Sequence, residues 1–237
     1  MTTVETAAGQ GPRHSRGAAA RLGMIEVAER LFAERGVNGV SLREIGTQAG
    51  QRNTAAARYH FGSKEALVDA VFRYRMEPIN ERRLDYLDDL DQAGRGHELR
   101  GLVEAFLYPL AETLGEPGRP SWYLRFCVSA GFLEGIAVAD LSREEYTRGA
   151  HIVRTRLTTQ LGHLPRPLRD DRWGLFAGYV SNALAARETL IQYSTGRAAR
   201  LTPRPAFLSD LVDTAVALVA APVSAATEAH LQHHRRT

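Results

Sequence analysis

Apolar residues recur at three- and four-residue spacing along nearly the whole chain, and strict apolar–polar alternation persists nowhere, so the pattern predicts an all-α protein. A first helix is expected over 18–35, with Leu22, Ile25, Ala28 and Phe32 on one face and Gly36 as its stop. Two short helices follow, over 42–49 and 54–60. A long helix then starts at Lys64 and carries Leu67, Val71 and Phe72 before Pro78, which removes a backbone donor and is expected to kink or interrupt it. It resumes through Leu84, Leu87 and Leu90, and the run Asp91 to Gly96 breaks it. Further helices are expected over 98–114, 121–135, 142–161, 170–193 and 206–220.

The stretch from Ser41 to Leu67 carries the densest local signals. Ser41 followed by Glu44 is a capping box: the Ser hydroxyl takes the N–H three residues on, and the Glu carboxylate reaches back to the cap's own N–H. Val40 and Ile45 can close a hydrophobic staple around it. Ala49-Gly50 ends that helix, because Gly permits a left-handed exit. Asn53 is a suitable N-cap for the next helix, whose Ala55, Ala56 and Ala57 have high helix propensity. Ser63 caps the third. Two short capped helices joined by a tight turn, leading into another capped helix, read as a helix-turn-helix.

At about 100° per residue, placing Ala57 and Phe61 inward with Ile45 turns Ala55, Ala56 and Tyr59 outward, with Arg58 and His60 on the flanks. Thr54, Ala55, Ala56 and Arg58 are therefore the candidate base-facing residues. Small alanines allow close approach and meet thymine methyls, and an arginine forks onto a guanine's two acceptors. Ser41, Tyr59, His60 and Lys64 are the candidate phosphate contacts, and the helix start at Ser63 adds amide donors.

These motifs resemble those of the TetR family of bacterial transcriptional repressors. The resemblance lies in Leu31-Phe32-Ala33-Glu34-Arg35-Gly36, Ser41 to Ile45, Ala49-Gly50, Tyr59-His60-Phe61 and Ser63-Lys64-Glu65-Ala66-Leu67, and it covers the first third of the chain. Two features depart from the family pattern. The turn Gln51-Arg52-Asn53 is one residue longer than is common in the family, and Arg58 stands where many members carry Tyr. The resemblance implies an N-terminal three-helix DNA-binding domain over 18–75 and a helical effector-binding and dimerisation domain over 76–221. Residues 1–17 and 222–237 are expected as flexible tails.

Charge distribution agrees with that division. Residues 1–75 hold 11 Lys or Arg against 7 Asp or Glu, net +4, and the remainder is net −1. The positive field thus gathers where the motif lies, as suits approach to a polyanion. With 44% hydrophobic and 24% charged residues the chain can bury one good core and a smaller one, which excludes disorder throughout. No apolar run is long enough for a membrane span and no signal peptide is legible, so the cytoplasm is the expected location. A lone cysteine, Cys127, excludes an internal disulfide and a multi-cysteine metal site.

In the second domain, Trp173, Phe176, Val180 and Leu184 form a stripe beside a small-residue face of Gly174, Gly178, Ser181 and Ala185. The last helix offers Leu208, Leu211, Val212, Ala215 and Val219. Two such helices from each of two chains make an intermolecular four-helix bundle, which is how the resemblance implies homodimerisation; the alternative is that the same residues complete the monomer's core. Phe106, Trp122, Tyr123, Phe126, Trp173, Phe176 and Tyr179, mixed with Cys127, His151, Asn182 and Arg187, are candidates to line an apolar effector pocket or to pack as ordinary core. Tyr108 and Phe132 belong to the same aromatic set. No nucleophile elbow, phosphate loop or zinc-helix motif is present, so no enzyme activity, metal or cofactor is expected. The tail residues His230, His233 and His234 read as solvated.

The expected function is a ligand-responsive repressor that binds a near-palindromic operator as a homodimer and is released by a small-molecule effector of apolar or aromatic character. The alternative is a ligand-independent architectural DNA-binding protein.

Overall fold

The computed structural model describes residues 12–53, 55–116, 118–130, 144–193 and 201–234. Among them lie ten helices and no strand beyond one isolated bridge between Glu116 and Arg119, so the fold is all-α. In chain order these are α1 (Pro12–Arg35), α2 (Leu42–Gln48), α3 (Ala56–Phe61), α4 (Lys64–Gln92), α5 (Leu99–Ala111) and α6 (Tyr123–Ser129). They continue as α7 (Glu144–Gln160), α8 (Arg166–Tyr193), α9 (Arg204–Ala220) and α10 (Ala225–His234).

The first helix begins at Pro12, six residues earlier than expected, since proline's fixed φ suits a helix start. Residues 1–11, the rest of the expected tail, lie outside the described residues. The inward stripe of α1 is Met24, Ile25, Ala28, Leu31 and Phe32, all buried. Leu22, expected on that stripe, is 37% exposed. At 100° per residue it falls about 120° from the stripe's centre, too far to reach the core.

The α1 stripe packs with Val40, Ile45, Ala57, Leu67 and Val71 to form the small N-terminal core. Both members of the Val40 and Ile45 staple are buried. The Ser41 hydroxyl accepts the Glu44 N–H at 3.2 Å, as one half of the capping box requires. The other half takes a different partner, because the Glu44 carboxylate binds the guanidinium of Arg35 and so ties α2 to the end of α1. Gly50 has φ of 70°, and Gln51 N–H reaches Gly46 O at 3.0 Å, a Schellman-type exit.

The turn that follows is longer than the three residues expected, and α3 starts at Ala56 rather than at 54. Asn53 is the cause: its Oδ1 accepts the Ala55 N–H at 2.9 Å and its carbonyl accepts the Ala56 N–H at 3.0 Å. Such an Asx turn sets the entry into α3. Ser63 caps α4 through the Ala66 N–H at 3.1 Å.

One uninterrupted helix, α4, runs through Pro78. Pro78 is on the solvent face, while Met76, Ile79 and Asn80 beside it are buried, so packing holds the helix across the one missing hydrogen bond. In the second domain α5 and α7 pack against α4, α6 lies between α1 and α8, and α9 covers α5 and α8; its core is continuous with the N-terminal one. At the domain junction Glu29 of α1, almost wholly buried, takes two hydrogen bonds from Arg75 of α4, at 2.6 and 2.9 Å. Burial pushes the Glu29 carboxyl up from its ordinary value, and Arg75 partly offsets this.

Helices α8 and α9 begin before their expected starts, with Pro167 and Pro205 in their first turns. Residues 225–234, expected within a tail, form α10, whose start is capped by Ser224 accepting the Thr227 N–H at 3.3 Å. Among the described residues no single helix is long and apolar enough to cross a membrane.

Candidate functional site

The exposed face of α3 is built by the three local caps just described. Its outward residues are Ala55, Arg58 and Tyr59, with Tyr59 85% exposed. Ala56 is only 9% exposed and belongs to the core, against the expectation that it faces outward. At 100° per residue Ala56 and Arg58 stand about 100° to either side of buried Ala57, and neighbouring packing closes the Ala56 flank alone. Thr54 lies outside the described residues. His60 is half-buried edge-on to Tyr59, with ring centroids 5.4 Å apart. Ser41 is exposed, and its hydroxyl proton remains free to donate. Lys64 donates to the Val37 carbonyl at 3.1 Å, which leaves two of its three N–H bonds for another acceptor.

The aromatic candidates of the second domain separate into distinct places. Phe106, Tyr123 and Cys127 line a buried cavity at the centre of the domain. Trp173 and Phe176 pack against Phe106, at 5.4 and 5.1 Å between centroids, as a cluster behind it. Phe126 turns the other way and stacks on Phe32 of α1 at 6.1 Å. Trp122 is half-buried under the Arg125 guanidinium, 4.5 Å away. His151 lines an open groove between α7 and α8. Tyr179 and Asn182 face outward on α8, Tyr179 bonding Thr214 of α9 at 2.7 Å. Arg187 is buried, with one N–H on the Thr202 carbonyl and its guanidinium over Phe207. Phe132 lies outside the described residues, and Tyr108 lines a surface groove with Tyr86.

The cavity's most polar group was not among the candidates. Arg83 of α4 is buried in the domain with no ion-pair partner among the described residues. Burial pulls its guanidinium down to about 10, and it is still a cation at neutral pH. A signal for it exists in the sequence. Met76, Asn80, Arg83, Leu87 and Leu90 recur at four- and three-residue spacing, so Arg83, not Leu84, takes the inward position. Burial likewise pushes the Tyr123 hydroxyl and the Cys127 thiol up from their ordinary values.

The seven-residue helix α6 joins this cavity to the N-terminal domain. Glu188 of α8, buried, accepts the Leu124 and Arg125 N–H groups at 3.4 and 3.1 Å and the Arg125 side chain at 3.2 Å, so it caps α6 at its start. At its other end Ser129 bonds the Phe32 carbonyl of α1. Tyr123 and Cys127 face the cavity and Phe126 faces α1.

The dimer candidates also divide. Trp173, Phe176, Val180, Leu184, Ser181 and Ala185 are buried in their own subunit's core. The exposed stripe of α8 is instead Leu175, Tyr179, Asn182, Ala186, Leu190 and Tyr193, with Leu175 64% exposed.

An all-α chain with a capped helix-turn-helix at one end has the architecture of helix-turn-helix DNA-binding proteins. Residues 24–71, about a fifth of the chain, match the family model described as bacterial regulatory proteins, tetR family. The helix-turn-helix segment is thus similar to that of the tetR family of bacterial regulatory proteins. Solved structures similar to it include a transcriptional regulator of the TerR/AcrR family from Aquifex aeolicus VF5, with 18% identity, 82% of this chain and 96% of that one covered, and a TM-score of 0.43. Another is a transcriptional regulator from Rhodococcus sp. Rha1, with 20% identity, 84% and 95% covered, and a TM-score of 0.46. No curated protein matches the chain.

Proposed function

We propose that this protein is a ligand-responsive transcriptional repressor that binds a near-palindromic operator as a homodimer in the cytoplasm. The observation that carries the reading is the exposed Ala55, Arg58 and Tyr59 face of α3, held by the Asn53 turn and the Ser41 and Ser63 caps. That face enters a major groove, with Arg58 reading bases, Thr54 and Ala55 beside it, and Ser41, Tyr59, His60 and Lys64 on phosphates. The outward stripe of α8, with the exposed side of α9, meets the same stripe of a second copy. The two recognition helices then address half-sites roughly 34 to 36 Å apart.

A small apolar effector enters the cavity under α6. Because α6 touches both the cavity and α1, a ligand that displaces it changes the position of the N-terminal domain and favours a dimer with wrongly spaced recognition helices.

Selection of bound fragments from sheared genomic DNA by the purified protein at physiological salt tests this. A few recovered fragments sharing a dyad-symmetric site are expected. Uniform recovery overturns the reading in favour of a ligand-independent architectural DNA binder.

A further inference from the structure

Arg83 is held in the domain centre by backbone carbonyls, not by a counter-charge. Its Nε donates to Ala105 O at 3.3 Å and its Nη2 to Phe106 O at 3.2 Å. The first carbonyl is available because Pro109, four residues on in α5, has no N–H to give it. The Phe106 ring lies 5.2 Å from the guanidinium carbon. On the α7 side Gly149 lets the helix approach: a Cβ there would meet Arg83 Cγ and Cδ at 3.1 Å.

That leaves Arg83 Nη1, which is buried and without a hydrogen-bond partner among the described residues. Two more buried groups are in the same condition, the Tyr123 hydroxyl of α6 and the Ser181 hydroxyl of α8. Beside Tyr123 is the Cys127 thiol, a weak partner for any hydroxyl. The residues that carry all three groups line one cavity, whose other walls include Phe72, Met76, Phe106, Leu110 and Leu124. One cation and two hydroxyls, supplied by three different helices, thus belong to the wall of a single, otherwise apolar enclosure. Buried donors call for an acceptor, and a buried unpaired cation calls for a negative one.

We infer that the effector is an organic carboxylate with an apolar body, its carboxylate held by Arg83 Nη1, Tyr123 and Ser181 and its body packed on the surrounding apolar walls. The inference rests on the ligand-responsive reading above and names the ligand class of that cavity. A water molecule could bond the hydroxyls but would not neutralise the guanidinium, so a neutral ligand of the same shape leaves the cation unpaired. The cavity is small, about 20 Å³, room for about one water. Admitting a ligand body therefore pushes α4, α6 and α8 apart, and α6 is the helix seated on α1.

The test is direct binding to the full-length protein without DNA, by calorimetry, using the straight-chain carboxylates from acetate to decanoate and benzoate, each against its neutral amide. At least one carboxylate is expected to bind about tenfold or more tighter than its amide, as a charge-assisted bond requires. Arg83→Met, close in volume, should bring acid and amide to within about threefold of each other. Tyr123→Phe supplies the same answer if Arg83→Met fails to fold, through a loss of about tenfold in carboxylate affinity with the amide unaffected. Equal binding of acid and amide, or binding of neither, overturns the inference. The DNA selection is scored separately. Operator recovery without carboxylate binding sinks this inference alone, and carboxylate binding with uniform DNA recovery sinks the regulator reading alone.

Discussion

Ser129 donates its hydroxyl to the backbone carbonyl of Phe32 across 3.0 Å, sharing that oxygen with the Gly36 N–H at 2.9 Å. The bond seats the end of α6 on the end of α1, where the helix-turn-helix begins. With Glu188 holding the start of α6, the helix is clamped between the second domain and the N-terminal one. The clamp is small enough to be cut by single substitutions.

Ser129→Ala should lower stability by about 1 kcal/mol, the net worth of one hydrogen bond. Operator affinity without effector is expected to stay near wild type while the effector releases DNA less completely. Anisotropy titrations of labelled operator with and without ligand check this, and an unchanged ligand response would remove Ser129 from the coupling path.

Glu188→Ala should cost about 3 kcal/mol or more, because it strips two backbone N–H groups of their acceptor and leaves Arg125, mostly buried, without its carboxylate. Glu188→Gln retains an acceptor and should cost less. Urea unfolding of the two variants measures the difference.

Arg58→Ala should relax base preference by about 1 to 3 kcal/mol at one position of each half-site. Lys64→Ala should weaken all sequences alike and flatten the salt slope by about one unit, and it should also cost some stability through the lost Val37 bond. Binding to operator variants over a range of salt separates the two roles, and identical profiles would refute the assignment.

Leu175→Glu places a charge in the centre of the exposed α8 stripe without touching the subunit's own core. Monomers with unchanged helicity are expected by analytical ultracentrifugation. Gly178→Glu, on the same face and with no heavy atom near its added Cβ, should behave alike. A persistent dimer would move the interface elsewhere.

Cys127 is buried and its thiol is pushed well up from its ordinary value, so little thiolate forms in the folded protein. Thiol reagents at mildly alkaline pH should leave it unmodified in the native state and label it once denaturant unfolds the chain. Carboxylate ligand should slow any residual labelling, since Cys127 lines the cavity.

What the sequence determined by itself was local. The Ser41 and Ser63 caps, the Gly36 and Gly50 exits and the inward Ile45 and Ala57 depend on neighbours within about one helical turn, and residue chemistry alone specifies such contacts. The tertiary structure decided what depends on which face of a helix meets which neighbour. It turned the Trp173 stripe into the subunit's own core and left Leu175 and Tyr179 outside, although both stripes of α8 have helical spacing. It closed the Ala56 flank of α3 and gave Glu44 to Arg35 rather than to its own cap. Above all it set Arg83, Tyr123 and Ser181 around one cavity from three helices far apart in the chain. Periodicity reports that a position points inward, whereas only the packed helices fix what it meets there.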